Sequence, residues 1–135
     1  MKNSHCLESA DVKAIGRAAE AEALQNGWPV SIAIVDAGGH LLGLQRLDGA
    51  APATAHMASA KANTAAQVQR DSKHFEDMIN GGRVAFLSAP TLHAVLEGGV
   101  VIVKDGHCIG AVGVSGVKPS EDAQVARAGI AALGL

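Results

Sequence analysis

The stretch Val100–Gly116, VVIVKDGHCIGAVGVSG, constrains the fold more than any other part of the chain. Two β-branched runs flank Asp105-Gly106, and a two-residue Asp-Gly turn between such runs specifies a β-hairpin of type I′, with φ > 0 at both central residues. The turn sets the register: Lys104 faces His107, Val103 faces Cys108 and Ile102 faces Ile109. Strict alternation then groups Val101, Val103, Cys108, Val112 and Val114 on one face, and Val100, Ile102, Ile109 and Ala111 on the other. Both faces are mostly apolar, so the hairpin is expected at the centre of a sheet covered on both sides. Gly110, Gly113 and Gly116 interrupt it, and glycine inside a strand points to close approach by another backbone.

Helical and strand patterns elsewhere supply the cover. Val12, Ile15, Ala19 and Ala23 fall at helical spacing between a candidate N-cap, Ser9, and a stop at Gly27, giving a helix over 9–26. Val30–Asp36 and His40–Leu47 read as a second hairpin around Ala37-Gly38-Gly39. An alanine-rich helix over 54–69 carries Ala55, Ala58, Ala62 and Ala65 as a narrow stripe suited to close packing. A short helical piece follows over 72–80. Residues 83–98 carry no clear period and leave room for a short strand. Ser120, followed by two acids, starts a closing helix. The order predicts one α+β domain over 1–135, with an antiparallel sheet of about five strands and helices packed on it.

Only 2% of the residues are aromatic and the formal net charge is -2. The core must be aliphatic, and neither stacking platforms nor a basic surface for nucleic acid are present. No apolar run reaches the ~18 residues of a membrane span. The two cysteines, Cys6 and Cys108, and an N-terminus without an apolar leader fit a cytoplasmic protein.

The spacing of the six histidines and two cysteines argues against a built-in metal site. His107 and Cys108 are adjacent on a strand and point to opposite faces, and no CxxC or HExxH pattern occurs. Ser115 lacks the second glycine of a nucleophile elbow and reads as a strand-end residue. More notable are the cations Arg46, in an apolar strand, and Lys61, at the edge of the alanine stripe. Asp36 and Asp48, at the two ends of the first hairpin, are their natural partners. A pocket built from these groups could hold a carboxylate on Arg46 and Lys61, with Asp36 or Asp48 as acid/base.

The blocks VSIAIVDAGGHLLGLQRLDGA, KANTAA, EGG and DGHCIGAVGVSG...SEDAQVARAG occur in order over roughly residues 7–133. Together they resemble the GlcG/HbpS family of heme-degrading-type domains, which includes the C-terminal domain of PduO adenosyltransferases. The resemblance implies a PAS- or profilin-like fold, homo-oligomers up to octamers, and a small-molecule ligand, with heme a candidate cofactor for some members and catabolic activity on small acids or ring compounds for others. The family pattern falls on Asp36, Gly38, Gly39, Arg46, Asp48, Lys61, Gly99, Gly106, Gly110, Gly113, Ser115, Gly116 and Asp122. The residues proposed as the candidate binding set are Arg46, Lys61, Thr64, Glu97, Gly98 and Gly99, and those of the candidate catalytic set are Asp36, Asp48 and Lys61. Val101 stands where the family commonly has proline. No histidine among His5, His40, His56, His74, His93 and His107 is singled out as an axial ligand. A multimer without a ligand is the third reading.

Overall fold

The computed structural model describes all 135 residues. Its elements are α1 (Ser9–Asn26), β1 (Ser31–Asp36), β2 (Leu41–Arg46), α2 (Ala53–Val68), α3 (Lys73–Asn80), a 3-10 turn over Val84–Ser88, β3 (Gly99–Lys104), β4 (His107–Ser115) and α4 (Pro119–Ala131). The strands form one antiparallel sheet in the order β2-β1-β4-β3. The α+β class stands, but the sheet has four strands rather than about five. Residues 83–98 add no strand; they make the 3-10 turn and an irregular return to β3.

Alternation along the inner strands builds two cores. Ile32 and Ile34 of β1 and Val112 and Val114 of β4 point to one face, where Ile15, Ala19 and Ala23 of α1 meet Ala123, Val125 and Ala126 of α4. Ala33, Val35 and Ala111 point to the other face, against Ala58, Ala62, Ala65 and Ala66 of α2. The second core is built almost wholly of alanine, which brings the helix close to the sheet.

The turn at Asp105-Gly106 has φ of 51° and 78°, as type I′ requires. Lys104 pairs with His107 and Val103 with Cys108, but Ile102 pairs with Gly110, because a bulge leaves Ile109 without a partner. One extra residue reverses the faces of everything beyond it. Val112 and Val114 therefore join Val100 and Ile102 under α1 and α4, while Ala111 joins Val101 under α2. The alternation expected from the turn alone holds only as far as the bulge. A similar irregularity separates Ile34–Gly43 from Val35–Leu41 in the first hairpin.

The helix starts also differ by a residue or two from the sequence reading. Glu8, not Ser9, is the N-cap of α1, and its backbone N–H donates to Asp11 Oδ2 at 2.8 Å. Lys118, not Ser120, caps α4; Pro119 takes the first helical position and the Lys118 N–H donates to Glu121.

Gly113 explains how α2 reaches the sheet. A Cβ built there would overlap the Ala58 carbonyl and lie 2.6 Å from the Ala62 nitrogen. These are backbone atoms of the helix, which cannot swing aside as a side-chain end would. Gly113→Ala is accordingly expected to destabilise the fold by about 2–3 kcal/mol through overpacking, measured as a lower urea midpoint with an unchanged slope.

Candidate functional site

The expected site residues occupy three separate places. Asp36 closes the first hairpin: its Oδ1 accepts the backbone N–H groups of Gly38 at 2.9 Å and His40 at 3.0 Å. The hydrogen bond from the His40 backbone, helped by that from Gly38, outweighs partial burial and holds the carboxyl below its ordinary pKa. Asp36 is thus an ionised turn cap. Arg46 ends the edge strand β2, opposite Ser31, and is exposed. Asp48 lies in the following turn beside Trp28, Pro29 and Leu47. No ion pair joins either aspartate to Arg46 or Lys61.

Lys61 sits elsewhere. It is 3% exposed, and its Nζ donates to Asp122 Oδ2 at 3.0 Å and to the Val114 carbonyl at 3.1 Å. The pairing of Lys61 with Asp36 or Asp48 expected from the sequence is therefore corrected. Helix α2 crosses the sheet so that Lys61 points toward the end of β4 and the start of α4, away from the first hairpin. Asp122 Oδ1 accepts the Val117 N–H at 3.2 Å, so the carboxylate ties the β4–α4 connection to α2. Burial raises the Asp122 pKa above its ordinary value, and the Lys61 ammonium opposes that rise.

Gly98 and Gly99 make room for the lysine. At Gly98, with φ of 131°, a Cβ would lie 2.9 Å from both Cδ and Nζ of Lys61. At Gly99 it would strike the Lys61 carbonyl. The paired glycines let β3 enter the sheet directly beneath the lysine stem, and the Gly98 carbonyl accepts the Val114 N–H at 3.0 Å. Glu97 is held through its backbone, its N–H donating to Glu76 Oε2 at 3.0 Å.

Ser72 completes the arrangement. Its hydroxyl donates to the Leu96 carbonyl and accepts the Gly99 N–H at 2.9 Å, while its own N–H donates to the Gly99 carbonyl. The sequence reading placed Ser72 only at a helix start, and Asp122 only among the family positions and first-turn acids. A residue 61 positions from its partner leaves no local signal. Thr64, fully buried one turn beyond Lys61, has a hydroxyl oxygen without a protein partner. The structure thus brings Lys61 together with Gly98 and Gly99, and leaves Arg46, Asp36 and Asp48 outside. No three His, Cys, Asp or Glu side chains gather as a metal site.

Residues 7–131 match the family model described as Haem degrading protein HbpS-like. The chain belongs to the HbpS-like family. It is 50% identical to Protein GlcG of Escherichia coli strain K12 over 115 residues, which cover 85% of each chain. The crystal structure of a double mutant of Streptomyces reticuli HbpS overlays with a TM-score of 0.90 at 30% identity, over all of this chain and 92% of that one. A crystal structure described as a PduOC:heme complex overlays with a TM-score of 0.84 at 29% identity, over 95% of each chain.

The buried ion pair makes a sign-specific prediction. Lys61→Met strands Asp122 as an uncompensated buried carboxylate and should lower stability by about 3–5 kcal/mol at pH 7. Without the ammonium the Asp122 pKa rises further above its unfolded value. A raised acid favours the fold below the unfolded pKa, and that contribution is lost as pH rises through the folded pKa. The stability gap between Lys61→Met and the parent should therefore narrow as pH is lowered from 7 toward 4, read by urea unfolding at several pH values. Lys61→Met/Asp122→Leu should recover much of the loss at pH 7.

Proposed function

We propose that this chain is a small-molecule-binding protein whose ligand is heme or a closely related tetrapyrrole, in an accessory or sensing role. The observation that carries the reading is the heme complex of the PduOC domain, which shares the fold over nearly the whole chain at 29% identity. The chain's own surface fits such a ligand. Leu41, Leu42 and Leu44 stand exposed on the edge strand β2, and an aliphatic wall can cover a porphyrin face in a protein with few aromatics. Cys6 and Cys108 are both unbridged, in keeping with action in the reducing cytoplasm.

The same reading includes self-association. The 3-10 turn over Val84–Ser88 packs chiefly on α3 and leaves Val84 and Leu87 exposed, as is Leu96 further along the return to β3. Apolar side chains on an excursion of this kind suit burial between copies of the chain. The Lys61–Asp122 pair supports a structural more than a chemical role for Lys61, because its ammonium is already occupied by Asp122 and the Val114 carbonyl.

Hemin titration tests the ligand. A saturable Soret shift at micromolar hemin with one site per chain is expected; an absorbance change that stays linear in hemin would sink the reading. Sedimentation velocity tests assembly: a species larger than the monomer is expected, and Leu87→Glu should shift it toward the monomer.

A further inference from the structure

Helix α1 meets the edge strand β2 where Val12 packs on Gly43. Between them runs a trough made of two adjoining depressions, of about 250 and 370 Å³, which share Val12 and Lys13. Together they reach the size of ordinary small-molecule sites, roughly 300–1,000 Å³. The floor is Val12 with Ile32 and Ile34 of β1, and the outer wall is Leu42 and Gln45 of β2.

Two glycines shape the trough. Gly43 lets Val12 pack against the strand, since a Cβ there would be 3.0 Å from Val12 Cγ1. Gly16 is the more telling, since it stands in the middle of α1, where glycine is among the least favourable residues. Its φ is negative, and nothing lies within 4 Å of the Cβ position, so neither backbone conformation nor close packing calls for glycine there. The missing side chain leaves space in the trough and serves no contact within the chain.

The charge along the trough is one-sided at its middle. Lys13 and Arg17 are exposed, one turn apart on α1, and make no ion pair or side-chain hydrogen bond. The acids of the lining, Glu8 and Glu20, fall at its two ends. An apolar floor under two unpaired cations is complementary to a flat apolar molecule bearing carboxylates on one edge. The lining contains no His, Cys or Met.

We infer that the trough between α1 and β2 is the tetrapyrrole site, with the macrocycle against Leu42 and Val12 and its carboxylates paired with Lys13 and Arg17. This rests on the heme reading and deepens it. Recognition then depends on the macrocycle and its carboxylates, not on an axial ligand from the protein, and Gly16 is the residue that admits the ring.

The test compares hemin with metal-free protoporphyrin IX, the first followed by absorbance and the second by fluorescence anisotropy. The full chain, Lys13→Glu/Arg17→Glu and Gly16→Leu are titrated, with circular dichroism and thermal melting confirming that each is folded. Binding of both porphyrins to the parent within about threefold of one another is expected. The charge-reversed variant should lose at least tenfold in affinity for each. Gly16→Leu should abolish binding while melting no lower than the parent, because leucine is the better helix former and meets open space. Hemin binding that ignores all three substitutions, or that fails to extend to protoporphyrin, overturns the trough and leaves the heme reading standing. Failure of the parent to bind either porphyrin overturns both. A trough covered by a second copy is the remaining outcome: the parent binds neither porphyrin, Gly16→Leu lowers the sedimentation coefficient, and the inference again falls.

Discussion

The backbone of α2 lies directly on the backbone of the sheet, and the rest of the molecule is arranged around that contact. It requires a strand without side chains where the helix touches, which Gly113 and Gly99 provide, and a helix whose inner face is alanine. Dispersion contacts at this separation are numerous, so a small-residue layer contributes packing out of proportion to its apolar area. The other face carries the larger side chains, Ile15, Ile32, Ile102, Val112 and Val125, and a thicker layer of two helices. One sheet thus separates a thin, tightly specified layer from a thicker and more conventional one.

The buried Lys61–Asp122 pair belongs to the thin layer. It lies where the helix, the glycine pair entering β3 and the start of α4 meet. A hydrophobic pair there could be as stable, since desolvation offsets much of the Coulomb attraction. The pair instead links α2, the end of β4 and the start of α4 through directional bonds, Lys61 to Val114 and Asp122 and Asp122 to Val117, while Ser72 separately ties the start of α3 to Leu96 and Gly99. The region implicated by the paired glycines is thereby tied to α2, α3 and α4 through buried side-chain bonds. The open surface lies on the opposite face and at the opposite edge, along β2.

Local sequence signals carried the elements, and their limits are physical. Asp105-Gly106 declared its hairpin because a type I′ turn has few sequence solutions. The bulge at Ile109 has no comparable signature, and it moved Val112 and Val114 to the face opposite the one that alternation implies. The alanine stripe announced close packing, and Ala58, Ala62 and Ala65 are indeed fully buried. The partner of Lys61 was not legible, because Asp122 also satisfies the local rule for acids at a helix start. Residues 83–98 lack a period because they serve neither main core: Phe86 packs on Phe75 and Ala94 is buried, while Val84, Leu87 and Leu96 point outward. Gly16 shows the same limit: within α1 it reads as a tolerated imperfection, and only the empty volume beside it gives it another meaning.

The strand order has a consequence for how the chain reaches this structure. The two central strands, β1 and β4, come from opposite ends of the sequence, with Ser31 beside Ser115 and Asp36 beside Gly110. The hairpin β1–β2 emerges first during synthesis, with Ile32 and Ile34 on one face and Ala33 and Val35 on the other, and has no sheet neighbour until β4 is made. Closing so long a loop must precede most of the favourable contacts, which places the chain among domains whose topology slows folding. Helix α1, made before β1, is available to cover the Ile32 and Ile34 face, while the Ala33 and Val35 face waits for a later segment. The alanine-rich α2, synthesised in between, is the segment best placed to shield that second face while the ribosome completes the rest.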